Sequence, residues 1–190
     1  MYNLMKRGKS KKVVKKVNRA SLKKIPRNLF KKKKIKINYK ILFSSIVVVF
    51  LVAFIGSILT FQGIKTGWYD SIKPSITPPS WVFSFAWTFL FCLIILSLYL
   101  SLTSVKDKEL KARVITLFGF NFTLNVLWTF FYFYLRQPVM AYFDLILLLA
   151  SIAMLISVTW KINRTSAWLL VPYFLWVGFA GILNYLTAFV

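Results

Sequence analysis

The sequence predicts an all-α integral membrane protein, a bundle of five transmembrane helices. Hydrophobic residues make up 58% of the 190 residues and aromatic residues 18%. A soluble domain of this size could not bury that much apolar surface. The apolar residues also fall into five runs, each long enough to cross a hydrocarbon core about 30 Å thick.

The five predicted spans follow one another with mostly short connections. The spans are residues 41–61, 81–103, 114–135, 139–160 and 166–189. The connections between the last four are residues 104–113, 136–138 and 161–165. Because these connections are tight, we expect consecutive helices to be antiparallel neighbours. The first apolar run is too long for a cleaved signal peptide, so it is expected to stay in the membrane.

A basic segment precedes the first span. Residues 1–40 hold 17 of the 26 Lys and Arg residues and none of the Asp and Glu residues. We expect a disordered cytoplasmic tail that contacts anionic lipid, at about 1 kcal/mol for each basic side chain near the surface. Nucleic-acid binding is the alternative for such a segment. We expect no nucleic-acid partner, because a basic block directly before a span is typical of a topology signal.

Loop charge predicts the orientation of this multi-pass protein in the cell membrane. Loop 104–113 carries four basic residues and loop 161–165 carries two, whereas the connections on the alternate side carry three in all. Cytoplasmic loops are enriched in Lys and Arg. The N-terminus is therefore expected in the cytoplasm and the C-terminus, Val190, outside.

The connector at residues 62–80 is expected to be an ordered lid over the outer end of the bundle. Proline fixes φ and restricts the residue before it, which makes the connector stiff and rich in turns. Tryptophan is favoured at the membrane interface. The predicted lid residues are Trp68, Tyr69, Lys73, Pro74, Pro78 and Pro79.

The third span carries a polar and aromatic face. Asn121, Asn125 and Trp128 are separated by four and three residues, which places them on one side of a helix. Amides in lipid need partners, so this face should look into the bundle or a cavity. Two interpretations stay open: hydrogen bonds between helices, worth about 0.6 kcal/mol per pair, or a surface that lines a ligand site.

The fifth and fourth spans repeat this ambiguity. Tyr173, Trp176, Ala180 and Asn184 share one face of the fifth span, where core packing and pocket lining are both consistent with the pattern. Asp144 is the one acid within a predicted span. It is either an interfacial acid near a helix N-terminus or a polar anchor that faces a cavity.

Catalytic and metal-binding patterns are missing from the sequence. The chain has no histidine and one cysteine, Cys92, so the commonest metal ligands and general bases are absent. No pair of carboxylates is placed for acid–base chemistry, and no Gly-rich phosphate loop occurs. We therefore expect an aromatic-lined pocket with no metal and no catalytic residues.

Four motifs together resemble one family. They are WYDSIKPSITPPSWVFSFAW at 68–87, LNVLW at 124–128, AYFD at 141–144 and LLVPYFLWVGFAGILNY at 169–185. In this order they closely resemble the TspO/MBR family of tryptophan-rich sensory proteins, translocator proteins and peripheral benzodiazepine receptors. The resemblance runs from about residue 44 to residue 187 and leaves out the basic tail.

The resemblance implies a five-helix membrane protein that binds porphyrins and other flat hydrophobic molecules, with porphyrin as a ligand and no cofactor. The family is commonly dimeric, so a homodimer is an implied assembly. The implied pocket lies inside the bundle under the first loop. Its residues, carried over by motif, are Trp81, Trp87, Asn125, Trp128, Asp144, Trp176, Ala180 and Asn184.

Three departures from the family pattern bear on the function. Ile76 and Met140 stand where the family often has Trp, and Phe85 stands where it has Pro. They weaken the alternative that the protein is an enzyme that degrades porphyrins. After Tyr185 no Lys or Arg follows, which lowers the expectation of sterol binding. The leading hypothesis is a porphyrin receptor, sensor or translocator, and a further alternative is a membrane scaffold that acts through its basic tail.

Overall fold

The computed structural model describes residues 37–190. The predicted basic tail that contacts lipid falls, for residues 1–36, outside this range and stays a prediction. The described helices are α1 (Tyr39–Lys65), α2 (Trp68–Ile72), α3 (Ser80–Ser104), α4 (Lys108–Thr129), α5 (Pro138–Ile162) and α6 (Arg164–Phe189), and a π-helical turn (Phe130–Tyr134) continues α4. Five of them are long and apolar enough to cross a membrane. The predicted all-α bundle of five spans is confirmed.

Two helix boundaries differ from the hydropathy pattern. Helix α4 begins at Lys108, inside the predicted loop 104–113, because the Asp107 carboxylate accepts a hydrogen bond from the Leu110 N–H at 2.7 Å. Such a cap and the acidic Glu109 in the first turn stabilise a helix start outside the apolar span. The connector 62–80 contains α2, and Gly67 turns the chain into it with a φ of 70°.

The five long helices pack in a closed ring with the order α1, α3, α6, α5, α4. The prediction that tight connections join neighbours holds for α4 with α5 and for α5 with α6. It is wrong for α3 and α4, which contact each other only sparsely although three residues separate them, 105–107. Helix α3 packs instead on α6, which lies far from it in sequence.

Small polar side chains hold α3 against α6. The Ser166 hydroxyl lies 2.8 Å from the Ser97 hydroxyl and 2.6 Å from the Ser101 hydroxyl. All three serines are buried. Serine lets two helix backbones approach closely and supplies hydrogen bonds between them, which is how helices associate where lipid is as apolar as the protein. This contact explains why α3 neighbours α6.

Helix α1 packs closely against the π-helical turn near its own end. Gly63 is buried against Phe133 of the π-helical turn, and a Cβ built on Gly63 would lie 2.8 Å from the Phe133 Cδ1 and 3.0 Å from its carbonyl oxygen. The rest of α1 is largely exposed and apolar, as expected for a helix that faces lipid. Gly63 therefore sets the distance between α1 and the end of α4.

We expect Gly63→Ala to lower the free energy of unfolding by about 1–3 kcal/mol, because the added methyl group forces α1 away from Phe133. Gly119→Ala is the matched control: nothing lies within 4 Å of its Cβ position, and alanine favours helix by up to about 1 kcal/mol over glycine. Unfolding in mixed micelles, followed by far-UV circular dichroism, measures both. Equal effects of the two substitutions would contradict the proposed contact.

Candidate functional site

Side chains from four helices converge inside the ring. Helix α3 contributes Trp87, α4 contributes Asn125 and Trp128, α5 contributes Asp144, and α6 contributes Trp176, Ala180 and Asn184. All are buried or half-buried. The predicted residue Trp81 differs, because it lies in the first turn of α3 and is 70% exposed. The structure thus brings every predicted pocket residue except Trp81 into the interior.

A chain of hydrogen bonds passes through the Tyr173 hydroxyl. The Asn125 amide donates to this hydroxyl at 3.2 Å, and the hydroxyl donates to the Asn121 Oδ1 at 3.3 Å. The Asn121 amide then donates to the Ser151 hydroxyl at 2.8 Å, which donates to the Leu148 carbonyl at 2.7 Å. The chain joins α4, α6 and α5, and all its side chains are buried.

A second link joins α4, α6 and α5 nearer the connector. The Trp128 indole N–H donates to the Asn184 Oδ1 at 3.0 Å, and the Asn184 amide donates to the Pro138 carbonyl at 2.8 Å. Together with Asn125, these contacts assign the asparagines to hydrogen bonds between helices. A ligand-lining role for the same faces stays a prediction.

Two tryptophan rings of the site meet other aromatic rings edge-on. The Trp87 ring meets the Tyr173 ring edge-on, with centroids 6.3 Å apart. The Trp176 ring meets Phe83 edge-on at 5.6 Å. An edge-on pair leaves one face of a ring turned away from its partner, and such faces are the surfaces on which a flat molecule stacks.

Two polar atoms in the site have no partner. The Oδ2 of Asp144 and the indole nitrogen Nε1 of Trp176 are buried and make no hydrogen bond. Buried polar groups are normally paired, so unpaired ones need an explanation. The Asp144 oxygen accepts hydrogen bonds when the carboxyl group is ionised, and the Trp176 indole N–H donates one. Among the described residues, no cluster of His, Cys, Asp and Glu side chains could hold a metal.

The connector covers the end of the site through aromatic contacts. The Trp68 and Tyr69 rings of α2 lie edge-on to Tyr132, with centroids 5.7 and 6.4 Å away. Burial raises the pKa of Tyr69 to about 12, and the neighbouring Tyr132 and Asp70 add to this effect. Tyr132 in turn stacks on Trp128 at 5.4 Å. The connector is thus in indirect contact with the interior hydrogen bonds.

The other predicted lid residues lie nearer the surface. Lys73 is exposed and forms an ion pair with Asp70 at 2.6 Å, while Pro79 is exposed and Pro74 and Pro78 are half-buried. Three prolines in this short stretch restrict its backbone. The anchored part of the connector is therefore α2, not the proline segment.

Sequence patterns did not identify the centre of the polar network. Helical periodicity places Tyr173 and Asn121 on the two polar faces, but neither was predicted as a site residue. No sequence pattern pointed to Ser151. It follows Asp144 by two helical turns and so lies on the same side of α5, which is the signal that could have found it.

Comparisons with known proteins agree with this architecture. A model of the TspO/MBR family matches residues 45–189. The tryptophan-rich protein TspO of Archaeoglobus fulgidus is 36% identical over 148 residues, which cover 76% of this chain and 92% of the relative. TspO of Bacillus cereus is 34% identical over 146 residues, or 75% of this chain and 93% of the relative. The translocator protein of Ovis aries is 32% identical over 121 residues, or 62% of this chain and 71% of the relative.

The resemblance inferred from the motifs is confirmed by these matches. The family model extends over nearly all of the region formed by the five long helices. The chain belongs to the TspO/MBR family.

Proposed function

We propose that this protein is a membrane receptor or translocator that binds porphyrins or similar flat hydrophobic molecules inside the helix bundle. One observation carries the proposal: Trp87, Trp128 and Trp176 pack against one interior apolar cluster, where the Asp144 Oδ2 and the Trp176 Nε1 are buried without a partner. Apolar sites with aromatic walls and few polar groups are typical of small-molecule binding. Relatives named as sensory and translocator proteins are consistent with a ligand-binding role.

The connector is the proposed entrance. Helix α2 rests on the π-helical turn through ring contacts, and its ion pair between Lys73 and Asp70 lies within the connector itself. No salt bridge in the described residues joins α2 to another helix. Ring contacts of this kind contribute about 0.5–1.5 kcal/mol each, so α2 can move without breaking the interior hydrogen bonds.

Trp176→Ala is expected to weaken the binding of protoporphyrin IX about tenfold or more, because loss of a stacking ring removes about 1–3 kcal/mol. Trp168→Ala is the matched control, since Trp168 lies about two turns before Trp176, near the start of α6, and is exposed. Porphyrin fluorescence, titrated against purified protein in neutral detergent, measures the affinity. Absence of saturable binding by the unaltered protein, or equal losses in both variants, would refute the proposed site.

Charge is divided between the two ends of the described bundle. The N-terminal face, where α1, α4 and α6 begin, carries seven basic residues, namely Lys40, Lys106, Lys108, Lys111, Arg113, Lys161 and Arg164. The face that holds α2 carries Lys65, Lys73 and Arg136. On the N-terminal face, the acids are Asp107 and Glu109, and Asp107 caps α4. The N-terminal face is therefore the proposed cytoplasmic side, and anionic lipid is its proposed partner.

Orientation can be tested with a reporter. Alkaline phosphatase fused after Val190 in a bacterial host is expected to be active, because the positive-inside rule places that end outside the cytoplasm. The same enzyme inserted after Lys106 is expected to be inactive, since this position lies on the N-terminal face. The reverse pattern of activities would overturn the proposed orientation.

Anionic lipid is expected to stabilise the full-length protein. Phosphatidylglycerol added to protein in neutral detergent should raise the melting temperature more than phosphatidylcholine does, and high salt should remove the difference. Replacing Lys161 and Arg164 with Gln should reduce the shift, whereas replacing Lys65 and Lys73 should not. Equal shifts with both lipids would argue against an anionic partner.

A further inference from the structure

Asp144 is the exception among the buried polar side chains. Within residues 37–190, the buried serine, threonine and asparagine side chains each take part in a hydrogen bond, and Asp144 takes part in none. Its residue is 6% exposed. Trp176 and Thr77 leave one polar atom unpaired as well, but both are neutral. Asp144 is thus the single ionisable group in the interior without a partner among the described residues.

Three polar side chains that share the interior with Asp144 are engaged with other partners. The Tyr173 hydroxyl donates to Asn121, and the Asn184 amide donates to the Pro138 carbonyl. The Ser151 hydroxyl, two turns along the same helix, donates to the Leu148 carbonyl. These side chains bond to one another or to the backbone, and the unpaired donor of the site, the Trp176 indole N–H, makes no hydrogen bond with the carboxylate.

No positive charge inside the bundle compensates Asp144. In the part of the chain that the structure describes, every Lys and Arg is exposed except Lys111, which is half-buried near the start of α4. An ionised carboxylate without a partner in an apolar interior is strongly unfavourable. Such groups in membrane spans usually face a ligand or its pathway.

We propose that Asp144 selects ligands that present a positively charged N–H donor on a flat aromatic frame, such as a protonated ring amine. This proposal rests on the function proposed above and sets a preference among flat ligands at that site: a cationic ligand binds more tightly than a neutral one of the same shape. The charged nitrogen supplies the counter-charge and the hydrogen bond that the protein does not provide. The aromatic frame stacks on the Trp87 ring, which meets the Tyr173 ring edge-on.

The test compares two fluorescent probes of the same ring shape on the full-length protein in neutral detergent. 9-Aminoacridine is a cation near neutral pH and carries N–H donors, and anthracene is neutral and has none. Asp144→Asn and Asp144→Leu should each weaken the binding of 9-aminoacridine about tenfold or more, because a buried charge pair is lost. Anthracene should bind both variants within about twofold of the unaltered protein.

Asp70→Asn serves as the matched control, because Asp70 is exposed and pairs with Lys73 on α2. It should leave the affinity for both probes unchanged. Thermal melting of each variant checks that it is folded. If both probes bind and the Asp144 variants change the affinity for both by the same factor, the selection of cationic ligands is wrong while the binding function stands. If neither probe binds the unaltered protein saturably while protoporphyrin IX does, the selection of cationic ligands is wrong. If protoporphyrin IX does not bind either, the proposed function itself is wrong.

Discussion

The hydrogen bonds that meet at the Tyr173 hydroxyl are the interaction on which the rest of the structure depends. Between membrane helices, lipid and protein are equally apolar, so the hydrophobic effect does not select which helix faces meet. The chain from Asn125 through Tyr173 and Asn121 to Ser151 makes that selection for α4, α5 and α6. A rotation of any of these helices would expose unpaired amides to lipid, which is strongly unfavourable.

The helix orientations that these hydrogen bonds fix also position the aromatic rings and the unpaired polar groups. With Tyr173 fixed, Trp176 lies one turn further along α6, beside the first turn of α3, and Asn184 reaches Trp128. Trp128 stacks on Tyr132, and Tyr132 supports the rings of α2. The contacts that hold the bundle together are therefore continuous with those that hold the connector over its end. A ligand that enters beneath α2 would meet side chains already positioned by helix packing.

Charged side chains, like uncharged polar ones, occupy distinct positions in the bundle. The basic residues that the structure describes lie at the helix ends, and the interior keeps one carboxylate. Helix ends in a membrane protein are close to lipid headgroups, where cations are favoured on the cytoplasmic side. An interior acid has no such environment and depends on what binds beside it. The proposed lipid contact and the proposed choice of ligand both rest on this distribution of charge.

The sequence by itself determined the number of spans and the two polar faces, because hydropathy and helical periodicity are local properties. It also pointed to the interior residues Asn125, Trp128, Trp176 and Asn184. Only the tertiary structure decided that α3 neighbours α6 and not α4, that Trp81 lies outside, and that Ser151 completes the network. A serine in a helix can bond its own backbone or another helix, and nothing local distinguishes the two. Membrane helices are apolar over most of their surface, so the choice of neighbour depends on pairs of small and polar side chains that are distant in sequence.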